Sequence, residues 1–403
     1  MISVLRLAAA LLVVGTVAAR GAQVPRTFGL RAEVLVAARN RSVEGDPRLA
    51  DPVTQLRAEA DALLKLKPAS VMDKNRVAAS GDKHDYFSLA TYWWPDPTKP
   101  DGRPYIRHDG EKNPEIKLGT DHEAFVRTCN SVETLGLAYW FTGDERYAQK
   151  SATLLRVWFL DPATRMNPNL QYAQAITGIN DGRGIGIIDS HSIVALIDGL
   201  ALIATSSAWP ANDSVALHTW MSDFYVWLTT SKNGLDEAAA ENNHGSWWDV
   251  QAVDLALALG RTDDAKKILA AVPEKRIARQ IEPDGSQPLE LSRTKSLNYS
   301  LFNLEALVTL ARLGEHVGVD LWKFSTPDGR NLRTALAYVA PYMNPAKQWP
   351  KQDIEDADRT RIPPLLAEAL RHNSDAGWSE LLTKYSGPPV RGEHWRLTSS
   401  DAR

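Results

Sequence analysis

Residues 241–251 read Glu241-Asn242-Asn243-His244-Gly245-Ser246-Trp247-Trp248-Asp249-Val250-Gln251. Two adjacent amides, an imidazole and two indoles stand at the head of an apolar helical pattern over 250–259. A core helix has no need of that mixture, because each buried polar atom requires a partner. A sugar supplies such partners through its hydroxyls and carboxylates, and indole faces offer platforms for pyranose rings. A polar helix cap explains the asparagines as well, since Asn starts helices. The two roles are compatible, and both stay open.

Outward from that stretch the chain reads mostly as helix. Apolar residues recur at helical spacing over 56–66, 122–141, 145–159, 187–205, 215–230, 250–259, 263–271, 301–313, 331–342 and 364–371. Strand-type alternation is scarce. Links such as Thr142-Gly143-Asp144 and Gly260-Arg261-Thr262 join successive helices as hairpins. The pattern predicts an all-α fold, an (α/α) toroid or incomplete barrel of antiparallel helix hairpins. No fixed period marks a solenoid. No Gly, Ser or Pro linker divides the chain, so one domain is expected from 25 to 390.

The 403 residues are 44% hydrophobic, with 46 basic against 49 acidic side chains. That suffices for a large core. A net charge of -3 gives no general reason to expect nucleic acid or an anionic membrane as partner. A local cluster of Arg and His can still serve an anionic substrate. Residues 1–21 read as an export signal: Arg6, the apolar run 7–19, and small residues before a cleavage point after Ala19 or Gly21. The mature protein is therefore expected in the periplasm or secreted, free of the membrane, and no later segment is expected to reach spanning length. Cys129, the single cysteine, reads as a buried structural thiol. CxxC, HExxH, GxGxxG and P-loop patterns are absent, so neither metal nor cofactor is expected. Oligomeric state is not legible.

Three further segments carry candidate chemistry. Tyr92-Trp93-Trp94-Pro95-Asp96-Pro97 opens an irregular stretch to Pro114 whose prolines and Asp-Gly pairs make it a loop. Loops this long are often lids, and Tyr92, Trp93, Trp94 and Tyr105 either stack on a sugar or staple the loop to the core. Arg293 and Tyr299 precede the apolar pattern at 301–313. Six residues apart, they would stand about 120° out of line on a continuous helix, and share a pocket only if the turn between them is irregular. Gln174 and Arg183 flank a Gly-rich stretch that fits neither common nucleotide fingerprint. A sugar-contacting loop capping the next helix is the better reading, with His191 facing the same cavity or bonded in the core.

Together these residues resemble a known family. The Tyr-Trp-Trp-Pro-Asp-Pro segment with Asp101-Gly102 and Asn113-Pro114-Glu115, the Asn-Asn-His-Gly-x-Trp element and the later Arg…Tyr element look like the alginate lyase superfamily, the group around polysaccharide lyase family 5. The likeness runs from about Tyr86 to Tyr342. It implies a helical toroid that cleaves uronic-acid polymers by β-elimination without a cofactor. It further implies that Asn243 and His244 engage the substrate carboxylate, that Tyr299 is the catalytic tyrosine and Arg293 its support. Tyr92, Trp93, Asn242, Trp247, Gln174, Arg183 and His191 would then contact the polymer. Thr294 stands where the family pattern has Gly after the arginine, and the Arg…Tyr spacing is one residue shorter, which weakens the Arg293 assignment.

Elimination removes the C5 proton beside a carboxylate, so hydrogen bonds or positive charge on that carboxylate must absorb the developing charge. A tyrosine near Arg293 or a protonated His244 could supply base and acid. Two rivals remain at this level. A glycoside hydrolase would use two carboxylates, for which Asp85, Asp189, Asp249 and Glu290 are available. An exported polysaccharide-binding protein would need no catalytic group.

Overall fold

The computed structural model describes residues 24–385, 387 and 394–399. The expected export signal lies outside the described residues, as does most of the tail after Ser386. The expected toroid of helical hairpins is the fold. Its helices are α1 (Ala32–Val43), α2 (Pro47–Leu64), α3 (His122–Thr142), α4 (Glu145–Leu155), α5 (Ile193–Ile203), α6 (Ala211–Thr230), α7 (Lys232–Ala238), α8 (Asn243–Ala258) and α9 (Thr262–Val272). There follow the single turns α10 (Ala278–Gln280) and α11 (Pro288–Leu291), then α12 (Ser296–Glu315), α13 (Leu332–Val339), α14 (Ile362–Leu370), α15 (Ala376–Tyr385) and α16 (Trp395–Thr398). Extended structure is confined to β1 (Phe87–Leu89), β2 (Trp93–Trp94), β3 (Ile106–Arg107) and β4 (Tyr172–Ala175). β1 pairs with β4 in parallel, and β2 with β3 antiparallel.

Punctuation residues set the hairpins. α3 ends on Gly143 in the left-handed conformation (φ 71°), and Asp144 then caps α4 by accepting from the Arg146 N–H. α3, α5, α8 and α12 are buried over most of their surface and form the inner wall. α3 and α5 cross closely: a Cβ on Gly199 would lie 2.6 Å from the Val132 carbonyl. Cys129 is fully buried there, and burial pushes its thiol up to about 12.

Two expectations need correction. The pattern over 187–205 is not one helix: Gly184–Ser190 is a 3-10 segment and α5 begins only at Ile193. Residues Gly184–Ile203 are also long and apolar enough to cross a membrane, contrary to the sequence expectation, although 61% of that window is buried in the protein. Asp189 and Asp198 lie within it, each 1% exposed.

Buried polar groups register the inner helices. Asn303 of α12 donates to Gln280 at 2.9 Å and to Gln287 at 2.7 Å, while Ser246 of α8 donates to the same Gln280 oxygen at 3.0 Å. At the turn between α7 and α8, Arg276 is 1% exposed. It donates to Asp249 (2.7 Å) and to the carbonyls of Ala238 (2.9 Å) and Ala240 (2.5 Å). Gly245 leaves room for it, since a Cβ there would sit 2.3 Å from the Arg276 guanidinium. Replacing Arg276 by Met should cost roughly 3–5 kcal/mol, the cost of stranding a buried charge, read by urea unfolding. A loss below 1 kcal/mol would remove the pair from the account of this corner.

Asp198 and Asp254 lie buried in α5 and α8, and Glu133 of α3 is half-buried near Asp198. Burial, with Asp198 nearby, pushes Glu133 up to about 8. Asp254, wholly buried and with both oxygens unpartnered among the described residues, is raised for the same reasons. An acid raised in the folded state stabilises below its unfolded pKa and loses that contribution as pH climbs through the folded value. Melting temperature should therefore fall as pH rises from about 4 through about 8. Asp254→Asn should flatten the decline; an unchanged slope in that variant would count against a neutral Asp254.

Candidate active site

Asn242 caps α8 by accepting from the His244 N–H at 3.3 Å, so the cap foreseen for the asparagines exists. Each of the next two side chains rests on a buried carboxylate. Asn243, 1% exposed, donates its backbone N–H and its side-chain amide to Glu290, both at 2.7 Å. His244 contacts Glu237 of α7 through Nδ1 at 2.7 Å and keeps a 16% exposed side chain. Burial raises the Glu290 carboxyl, opposed by the two Asn243 N–H groups and the nearby charges of His244 and Arg293. Glu290 is thus the joint between the Asn-His pair and the Arg-Tyr pair.

Arg293 and Tyr299 meet because α12 begins only at Ser296, which leaves Arg293 in the irregular turn before it. Its guanidinium folds back over the Tyr299 ring, 3.8 Å from the centroid, and Nη2 donates to the phenol oxygen at 2.7 Å. The Tyr299 hydroxyl donates in turn to the Tyr92 hydroxyl at 2.8 Å. Burial moves the Tyr299 phenol well above its ordinary range; Tyr92 adds to the rise and Arg293 opposes it. The resting phenol is neutral, and the expected help from Arg293 is outweighed by desolvation.

The loop over 92–114 is docked at both ends onto that pair. Tyr92 meets Tyr299, while Asp109 accepts from Arg293 Nε (3.1 Å) and Nη2 (2.7 Å) and from Thr294 Oγ1. Burial alone would raise Asp109, but Arg293 holds its carboxyl at about 2. The loop aromatics have different surroundings. Trp94 donates to the Glu111 carbonyl and Tyr105 to Glu115, which staples the loop. Tyr92 reaches into a cleft of about 320 Å³ bounded also by Tyr299, Phe302, Lys295 and Arg361. Trp93, half-buried in β2, holds Asn113 through its carbonyl.

A second wall forms around Asp189. Tyr86, Ser88, Gln174 and His122 all bond its carboxylate, at 2.5–3.2 Å. Burial would raise Asp189, but His122 and these donors keep it below the ordinary carboxyl range, and Asp189 in turn raises His122. Gln174 occupies the left-handed region (φ 49°), costly for a side chain that is not glycine. Its amide is fixed at both ends, by Asp189 and by Arg183 at 3.0 Å. His191 is bonded through Nδ1 to the Ile188 carbonyl and wedged edge-on against Trp247 and Phe302; burial lowers it to about 4. Trp247 is 8% exposed and its indole N–H is spent on the Phe302 carbonyl, so its face packs on side chains of this wall.

Glu237, Asp109 and His122 escaped sequence reasoning. Glu237 is one acid among Asp236, Glu237 and Glu241, Asp109 reads as half of a turn, and His122 as a helix start. The carboxylates available to a hydrolase are otherwise engaged: Asp249 by Arg276, Glu290 by Asn243, Asp189 as above, and Asp85 by Ser80 and Asn167.

Residues 70–349 match the sequence model of the family described as Alginate lyase. A crystal structure of an alginate lyase from Bacteroides ovatus shares 40% identity and superposes with a TM-score of 0.89, over 94% of this chain and 100% of that one. The fold also recurs at 17% identity and a TM-score of 0.55 in a variant of alginate lyase A1-III complexed with a tetrasaccharide, covering 88% of this chain and 97% of that one. No curated protein sequence matches. These likenesses define the chain as a polysaccharide lyase. It belongs to the alginate lyase family.

Asp109→Ala should release the loop from Arg293 while leaving the toroid intact. Limited proteolysis should then cut between 95 and 104 faster than in the parent, at unchanged melting temperature. Equal cleavage rates would show that Asp109 does not hold the loop.

Proposed function

We propose that this lyase cleaves alginate by β-elimination, leaving 4,5-unsaturated uronate ends, after export to the periplasm or beyond. The observation that carries the reading is Arg293 stacked on Tyr299 with its Nη2 on the phenol oxygen. A fixed cation on a buried phenol serves a group that must both lose and regain a proton. Asn243, His244 and Arg293 are assigned to the substrate carboxylate, where they absorb charge as the C5 proton departs. Asn243 has one amide hydrogen left for this, since the other is given to Glu290.

Tyr299 is assigned the proton traffic. A neutral phenol can donate to the departing O4 directly. To act as base it must first pass its proton on, and the Tyr92 hydroxyl at 2.8 Å can relay it by releasing its own proton to solvent. Because burial raises Tyr299, its base form gains as pH rises, so turnover should climb from acid toward neutral and mildly alkaline pH. Arg183, Gln174, Asn242 and Trp93 are assigned to flanking sugars, and His122 joins them because it shares Asp189 with Gln174.

The decisive experiment incubates the purified enzyme with mannuronate-rich and guluronate-rich alginate and with glucuronan, following ultraviolet absorbance of the conjugated enoate. Absorbance rising on alginate supports the proposal; rising on glucuronan alone reassigns the substrate. Chain shortening without absorbance sinks elimination altogether. Tyr299→Phe should lower turnover by roughly 10²- to 10⁴-fold with polymer binding retained.

A further inference from the structure

The carboxylate behind His244 belongs to Glu237, 1% exposed on α7, with one oxygen 2.7 Å from Nδ1. Its other oxygen is buried and has no hydrogen-bond partner among the described residues. As a structural tie between α7 and α8 this arrangement is superfluous. Arg276 already binds Asp249 of α8 and the last carbonyls of α7. A buried acid is a poor source of stability in its own right, and an unsatisfied oxygen adds cost. The position of the charge is better explained by what it does to the imidazole.

We propose that Glu237 is a positioning residue for His244: its carboxylate takes the Nδ1–H, aims Nε2 at the cleft, and supplies the counter-charge that lets the ring carry a proton during turnover. This rests on the reading of His244 as the residue engaging the substrate carboxylate. The hydrogen bond at one ring nitrogen dictates the state of the other. With Nδ1–H given to Glu237, the resting imidazole presents a lone pair at Nε2, and Nε2 takes no hydrogen bond among the described residues. Protonation at Nε2 then turns an acceptor into a charged donor without moving the ring, and the positive charge stands against Glu237. A polyuronate brings its own negative charge, so without this fixed state the ring could instead rotate toward the sugar and lose its aim.

Other charged groups face the dyad. Glu290 on α11 lies close enough for His244 to favour its ionised form, and Arg183 on the opposite segment is close enough to feel Glu237. Glu290 and Arg183 thus stand near the dyad with opposite charges. Removing Glu237 leaves Glu290 alone on that side, so the effect should be partial and visible as a displacement of a pH limb.

Glu237→Gln keeps size and reach while removing the charge. It should lower kcat roughly 10- to 100-fold, the size found where an outer partner fixes a functional imidazole, with little change in KM. The limb of the pH–rate profile that disappears in His244→Ala should move to lower pH, and Glu237→Asp should partly restore both. One measurement needs no variant: proton NMR of the parent enzyme should show a far-downfield imidazole N–H resonance, absent in His244→Ala. Wild-type turnover in His244→Ala would overturn the functional reading itself. Loss of activity in His244→Ala, but an unshifted pH limb in Glu237→Gln or no downfield resonance in the parent, overturns only the role given to Glu237.

Discussion

The site depends on one buried ion pair remote from substrate. Arg276 closes the corner between α7 and α8 by holding Asp249 and two main-chain carbonyls at once. That corner ties the end of α7 to the start of α8, and so sets the placement of Asn243, His244 and, across the turn, Glu237. A guanidinium suits the position because its planar fork meets a carboxylate and two carbonyls at once. Gly245 is the local concession, since a larger residue would fill the guanidinium's place.

Charge is arranged in an unusual order around the Asn-His pair. A site for an anionic polymer would be expected to hold cations only, yet Glu237 and Glu290 sit directly behind the pair. They act on orientation: each holds one end of its side chain and leaves the other end unoccupied, an amide hydrogen on Asn243 and Nε2 on His244. The cations stand farther out: Arg293 is tied to Asp109 and His122 to Asp189, while Arg183 is held by Gln174. Pairing with carboxylates offsets the mutual repulsion of such cations before the polymer arrives.

Much of this was legible in the sequence. Helical spacing located nearly every long element, and the ends of α3 and α4 follow from Gly143 and Asp144. Helices α1 and α7 were missed because their apolar pattern is weak or short. The 187–205 run was misjudged because hydropathy does not register the break at His191-Ser192, where a buried 3-10 segment turns into α5. Arg293 and Tyr299 were individually conspicuous, but their contact depends on where α12 starts, which spacing alone does not tell. Glu237 and Asp109 could not be singled out, since a carboxylate gains its role only from the neighbour that the fold brings to it. The export signal lies outside the described residues.

The double attachment of the 92–114 loop has a mechanical corollary. Its first residue leans on the phenol and its later aspartate on the guanidinium stacked upon that phenol. Lifting the strap at either end therefore disturbs both members of the stack together. Strap and stack thus behave as one mechanical unit, and a substitution in either is felt in the other.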